Sequence, residues 1–209
     1  SISGSNDFSA GALATVEALT YTGTATATVK ESQIGTGAIV TVTSDSNVNT
    51  LVVNASTATA TIDISGTTFN TWTAGTDLIQ LNGGTGINAI TGSAQGDTIT
   101  GGGGADTIAV GSGADIVRYT ATGDGSDTIN DFVTADDKLA FSVSGFSLGA
   151  LSFAAGTDAA ITNATVLHVT GAAYATADAV GTALAANAGV TATNAIVAYL
   201  DTDGTTHVF

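Results

Sequence analysis

Cysteine and methionine are absent from this 209-residue chain, and lysine and arginine together number 3. Without cysteine there is no disulfide frame, no thiol nucleophile and no thiolate metal ligand. Against the 3 basic residues stand 18 acidic ones, a formal charge of -15, which argues against nucleic acid or an anionic membrane as direct partners. Such a surface asks for cations instead. No run of about 18 apolar residues occurs, so no transmembrane helix is expected, nor is an amino-terminal signal peptide. The lack of Met at position 1 leads us to expect a processed product or a fragment. H-E-x-x-H is not found, which excludes the motif of a zinc protease. His168, in the apolar run Val166 to Val169, and His207, near the carboxyl terminus, read as structural or surface residues. The expectation is a protein that is not an enzyme.

What is present is a period of nine. The units are GGTGINAIT from Gly83, GSAQGDTIT from Gly92, GGGGADTIA from Gly101 and VGSGADIVR from Val110. A looser TGDGSDTIN follows from Thr122, and a degenerate WTAGTDLIQ starts at Trp72, with two extra residues after it. The sixth position reads Asp77, Asn88, Asp97, Asp106, Asp115, Asp127; the eighth reads Ile79, Ile90, Ile99, Ile108, Val117, Ile129. This is the G-G-x-G-x-D-x-U-x pattern, with U a large aliphatic residue, perfect in the unit from Gly101.

Each position has a physical task if two nonapeptides make one coil of a parallel β-roll. The glycines (Gly84 and Gly86, Gly102 and Gly104, Gly111 and Gly113, Gly123 and Gly125) allow a tight loop whose carbonyl oxygens turn inward. The x-U-x tripeptide makes a short strand with U between two sheets. Loops on one side recur every second unit. Asp97 should therefore lie beside Asp115, with Asp77 in the same column, and Asn88 beside Asp106, with Asp127 in theirs.

Stacked carboxylates repel unless a cation sits between them. Calcium suits the slot, since it takes roughly 6 to 8 oxygen ligands and accepts carboxylates and carbonyls together; magnesium wants tighter octahedral geometry, and transition metals want His or Cys. The competing reading is a metal-free solenoid in which Gly and Asp are only good turn formers. That reading does not require the acid at one fixed phase. Asn88, Gln95 and Val110 interrupt the pattern, and the sites they touch are expected to bind weakly or not at all.

From about Trp72 to Leu139 the chain resembles the RTX, or haemolysin-type, calcium-binding repeat proteins. The likeness includes the closing run Asp127-Thr-Ile-Asn-Asp131-Phe132 and Asp136-Asp137-Lys138-Leu139. The resemblance implies several calcium ions shared by the Asp side chains of neighbouring loops, here Asp97, Asp106, Asp115 and Asp127. It further implies type I secretion machinery as a partner and an uncleaved export signal near the carboxyl terminus.

The expected fold is all-β, a parallel β-roll with three regions. Residues 1–70 form a β-rich segment leading into the roll, with strands at Thr24 to Val29, Ile39 to Thr43 and Ala58 to Ile64 and a short helix at Ala10 to Leu19. Residues 71–130 form the roll, with Trp72 and Tyr119 covering its apolar layer. Residues 131–209 form a sandwich-like cap and secretion region. There Leu139, Phe141 and Val143, then Phe146, Leu148, Leu151 and Phe153, supply strands, and Thr176 to Asn187 a helix. A terminal hairpin joins Ala195 to Leu200 with Thr205 to Phe209 through Asp201-Thr-Asp203-Gly204, which reads as a turn or as half a calcium loop.

The function this suggests is that of a secreted, calcium-dependent structural protein of the cell surface, most like the carboxyl-terminal part of an RTX-type surface-layer protein. It would self-associate in a lattice, with a cell-surface polysaccharide as a further partner. The alternatives are the secretion and folding module of an exported protease or lipase, and a calcium-dependent adhesin for a host, ice or polysaccharide.

Overall fold

A computed structural model describes residues 1–11, 17–35 and 39–142, and beyond them the backbone of four strands at 153–156, 166–174, 196–201 and 206–208. The described residues wind into an all-β parallel solenoid of about six turns, with almost no helix among them. Its strands are β1 (Ile2–Asp7), β2 (Ala18–Lys30), β3 (Thr41–Thr43), β4 (Asn49–Asn54), β5 (Thr61–Asp63), β6 (Thr68–Asn70), β7 (Leu78–Asn82), β8 (Ala89–Thr91) and β9 (Asp97–Thr100). These are followed by β10 (Thr107–Ala109), β11 (Ile116–Tyr119), β12 (Asp127–Asn130), β13 (Lys138–Phe141), β14 (Phe153–Gly156), β15 (Val166–Tyr174), β16 (Ile196–Asp201) and β17 (Thr206–Val208).

From β7 to β13 successive strands alternate between two sheets. The first runs β13-β11-β9-β7-β4-β2-β3-β6, with β1 also on β2; the second contains β17-β12-β10-β8-β5 in that order. Period-two sequences drive this. In β4, Leu51 and Val53 point in and Thr50, Val52 and Asn54 point out, and in the roll each Thr-Ile pair does the same with fewer residues. Threonine and isoleucine, both β-branched, favour the extended backbone.

Register turns these alternations into stacks. Val29, Val53, Leu81, Ile99, Val117 and Leu139 stand in one line across the first sheet. Ile62, Ile90, Ile108 and Ile129 stand in the facing line of the second. All but Leu139 are at most 1% exposed, and each such side chain contributes roughly 1.5–3 kcal/mol by leaving water. Trp72, half-buried, meets Phe69 edge-on at a centroid distance of 5.1 Å and Tyr21 at 6.2 Å. At the other end Tyr119 stacks on Phe141 at 5.2 Å.

The register corrects one sequence expectation. Ile79 pairs with Asp97 and Leu81 with Ile99, so Leu81, not Ile79, occupies the core position that the repeat assigns to its eighth residue. The two extra residues of the degenerate unit lengthen the strand β7 instead of its loop. Asp77 accordingly sits one pleat earlier, opposite Asn49, and does not join the column of Asp97 and Asp115.

The helix expected at Ala10 to Leu19 is not formed at its carboxyl end, where Ala18 and Leu19 belong to β2; residues 12–16 lie outside the described ones. The strands near Ile39 and Ala58 are shorter than expected, starting at Thr41 and Thr61. The terminal strands β16 and β17 pair antiparallel, as a hairpin requires, and β17 also pairs antiparallel with β12, which adds it to the second sheet. The turn at 202–205, the helix at Thr176 to Asn187, and Val143, Phe146, Leu148 and Leu151 lie outside the described residues.

Candidate metal centre

Following the inward column one pleat before the core line, from coil to coil, shows where the chemistry changes. In the first sheet it reads Ala27, Leu51, Ile79, then Asp97. Asp97 is followed by Asp115 and Asp137, each linked to the next by a backbone hydrogen bond: Asp97 N–H donates to Asp115 Oδ1 at 2.8 Å and Asp115 N–H to Asp137 Oδ1 at 3.0 Å. In the second sheet the column reads Ala60, Asn88, Asp106, Asp127. Ala60 N–H donates to Asn88 Oδ1 at 2.9 Å, Asn88 N–H to Asp106 Oδ1 at 2.8 Å and Asp106 N–H to Asp127 Oδ1 at 2.9 Å. Thus Asp97 and Asp115 share one column and Asn88, Asp106 and Asp127 the other, while Asp77 stands apart.

Asp97, Asp106, Asp115 and Asp127 are each at most 2% exposed. Burial pushes the Asp97 carboxyl up to about 7 and those of Asp115 and Asp127 up to about 6, with neighbouring acids adding to the rise, and Asp106 moves the same way. A buried carboxylate is tolerated only if its oxygens find partners. Each Oδ1 of Asp106 and Asp115 has its amide, whereas the Oδ2 atoms of both are buried with no hydrogen-bond partner. Two partnerless carboxylate oxygens in glycine-lined loops fit a hard cation. Among the described residues no three Asp, Glu, His or Cys side chains gather at one point, so the remaining ligands would be main-chain carbonyls and water, a donor set that calcium accepts.

The glycines are needed for close stacking of these loops. Gly104 has φ +111, and a Cβ there would lie 2.8 Å from the Gly86 carbonyl carbon; Gly113 has φ +131, and its Cβ would lie 2.7 Å from the Gln95 carbonyl oxygen. Neither conformation suits an L side chain. Gly102 is pressed against Gly84, Gly111 against Ser93 and Gly125 against Gly104 in the same manner, while a Cβ on Gly123 would meet nothing.

Two interruptions of the pattern have visible consequences. The Asn88 amide nitrogen donates to the carbonyl oxygens of Gly86 and Ala58 and, at 3.4 Å, to Asp106 Oδ1; amide protons here stand among oxygens that could otherwise face an ion. Ser93, where the perfect unit has its second glycine, donates through N–H at 2.7 Å and Oγ at 3.1 Å to Asp97 Oδ2. Asp97 is thereby more fully served by the protein than Asp106 or Asp115. Of the other expected interruptions, Gln95 donates its N–H to Ser93 Oγ at 3.0 Å, and Val110 is buried in the core, its N–H donating to Asp131 Oδ1 at 2.8 Å.

Asp77 is satisfied by protein donors alone. Asn49 N–H reaches Oδ1 at 2.9 Å, while Ser44 Oγ and Thr73 N–H reach Oδ2, each at 2.8 Å. Replacing Asp77 with Ala should therefore lower stability by roughly 3 kcal/mol, from the loss of charge-assisted bonds, and equally with calcium or chelator. Asp106→Ala should behave differently, weakening calcium binding about tenfold or more, which is 1.4 kcal/mol per decade. Calorimetric titration with paired melts distinguishes them; a larger loss of calcium affinity at Asp77 would refute the assignment.

Reading the period also missed partners outside it. Asp137 closes the first column beneath Asp115, and Asp131, at φ +55, accepts from Val110 and Gly111. Asp124, inside the looser unit from Thr122 but off its sixth position, is a third, accepting from the amides of Thr120 and Ala121. Asp131 and Asp137 were visible only as parts of the closing run. The coils that bring them in are longer, with 22 residues from Asp115 to Asp137 against 18 from Asp97 to Asp115.

Residues 82–117 match the family model of the RTX calcium-binding nonapeptide repeat, in four copies. No curated protein and no solved structure matches the chain.

Proposed function

We propose, from the premise that residues 82–117 are RTX repeats and that calcium is their ion, that this chain is a calcium-locked structural protein of the cell exterior. On this reading it is the carboxyl-terminal part of a surface-layer protein that assembles with its own copies. RTX repeats are typical of secreted proteins, and none of the described helices is long and apolar enough to cross a membrane.

The observation that carries the reading is the pair of buried, partnerless carboxylate oxygens on Asp106 and Asp115. They make a rigid scaffold conditional on a divalent ion, as suits a protein that becomes rigid only where calcium is abundant. The proposed ligands are Asp97, Asp106, Asp115 and Asp127, with carbonyls of the glycine loops, while Asp137, both of whose oxygens accept backbone N–H bonds, from Asp115 at 3.0 Å and Val133 at 2.7 Å, closes its column as a protein-satisfied rung. Asn88 and Asp77 serve as metal-free rungs in this scheme. The roll at 71–130 would be the calcium-dependent unit, residues 1–70 its lead-in and 131–209 its cap and export region. The chain's Thr/Ala/Gly-rich, Lys-poor composition, without Cys or Met, supports a surface-layer role over an enzyme's accessory module.

Electron microscopy tests this directly. Adding millimolar calcium to the purified protein should give ordered two-dimensional sheets, and chelator should dissolve them. A protein that stays monomeric across millimolar calcium would end the lattice reading while leaving calcium binding intact.

A further inference from the structure

We propose that the outward face of β4, β7, β9, β11 and β13 receives the acidic loops of a second copy of this chain. The inference rests on the self-assembly reading above and names the surface that it needs. The chain has only three basic side chains, Lys30, Arg118 and Lys138. Lys30, on β2, lies within electrostatic reach of Asp7, whose carboxyl is held low chiefly by hydrogen bonds from Ser9. The other two are exposed and project from this one face.

Arg118 lies in β11 and Lys138 in β13, which pair in parallel with Ile116 opposite Lys138. The row continues through Thr98, Gln80 and Val52, and Leu78, 45% exposed, lies beside it. Every outward position of these five strands is Thr, Asn, Gln, an aliphatic residue, Arg118 or Lys138. A chain of net charge -15 thus carries a sheet face whose outward strand positions hold no carboxylate and are positive at one margin. Strands about 4.8 Å apart spread it over roughly 19 Å.

Charge selects the occupant. Pairing this face with itself would bring Arg118 and Lys138 toward like charges, so a symmetric dimer through it is disfavoured. The complement is supplied by the chain's own exposed acids elsewhere, including Glu17 in the loop before β2 and Asp63 on β5 of the second sheet. A contact between unlike surfaces does not close on itself at two subunits. It leaves the same donor and acceptor surfaces free at each end and so extends.

The test is the double variant Arg118→Glu/Lys138→Glu, observed by sedimentation velocity in millimolar calcium. Both side chains are solvent-exposed, and an unchanged calcium-dependent melt confirms the fold. The wild type should form large assemblies. The variant should remain monomeric at concentrations at least about tenfold higher, a shift of 1.4 kcal/mol, and adding Glu17→Lys and Asp63→Lys to it should restore assembly. Unaltered assembly of the double variant overturns the inference and leaves the lattice reading standing. A double variant that stays monomeric without rescue overturns the acidic-copy occupant. A wild-type monomer that binds alginate through Arg118 and Lys138 shows an anionic glycan as the occupant, and a monomer that binds neither removes this inference and the lattice reading together.

Discussion

Calcium removal at pH 7.5 should strip hydrogen-exchange protection from β9 through β13 while leaving β2, β4 and β7 protected. The reason is the change within a single inward column, from Ala27, Leu51 and Ile79 to Asp97, Asp115 and Asp137. Up to Ile79 the interior is held by apolar contact, and its polar rungs are closed by protein groups: Ser44, Asn49 and Thr73 around Asp77. Beyond it, each coil buries a carboxylate, and at Asp106 and Asp115 one oxygen has no partner. An ion present at about 100 times its Kd stabilises the native state by roughly 2.7 kcal/mol, so losing several ions exceeds what a few short strands can hold. Exchange in β9 to β13 should accelerate by two orders of magnitude or more. Uniform loss across both halves, or none, would contradict the division.

Calcium-free protein should melt at a lower temperature at pH 8 than at pH 5, the reverse of ordinary acid denaturation. Asp97, at about 7, and Asp115 and Asp127, at about 6, are raised above the usual carboxyl value of 3.8. A carboxyl raised on folding contributes stability that is fully present below its unfolded pKa and is lost as pH climbs from there through the folded one, here across the window from about 3.8 to about 7. Calcium binds the ionised form, so its contribution grows over the same window and shrinks as protons displace it. The gap between loaded and calcium-free melting temperatures should therefore widen from pH 5 to pH 8. Asp115→Asn should flatten the calcium-free slope, whereas Asp63→Asn, at an exposed site, should not. A calcium-free protein more stable at pH 8 than at pH 5 would show that these acids do not govern its stability.

The roll itself was legible because its coils are equal. Asn88 to Asp106 and Asp97 to Asp115 both span 18 residues, and a fixed phase of Asp and Ile over that span determines columns without any coordinates. Outside it the coils change length: 28 residues separate Asn49 from Asp77 and Ala60 from Asn88, 21 separate Asp106 from Asp127, and 22 separate Asp115 from Asp137. Unequal turns hide the same solenoid from any search for a period. Leu51 and Val53 therefore read only as part of a β-rich segment, although they continue the stacks of Ile79 and Leu81. The misplacement of Asp77 has the same origin, since two added residues can lengthen a strand or a loop and sequence spacing does not distinguish the two. Ser93 escaped notice for a different reason: its hydroxyl matters because it faces Asp97, and only the fold supplies that neighbour.

The hydrogen bonds between rungs have a direction. In every case the amide of the earlier rung is satisfied by the carboxylate or carboxamide one coil further along: Ala60 by Asn88, Asn88 by Asp106, Asp106 by Asp127, Asp97 by Asp115 and Asp115 by Asp137. A chain that emerges amino end first always has a newest rung whose donor is waiting for residues still to come. The scaffold is thus left unfinished at its growing tip, whatever its length, until Asp127 and Asp137 have arrived to seal the two columns.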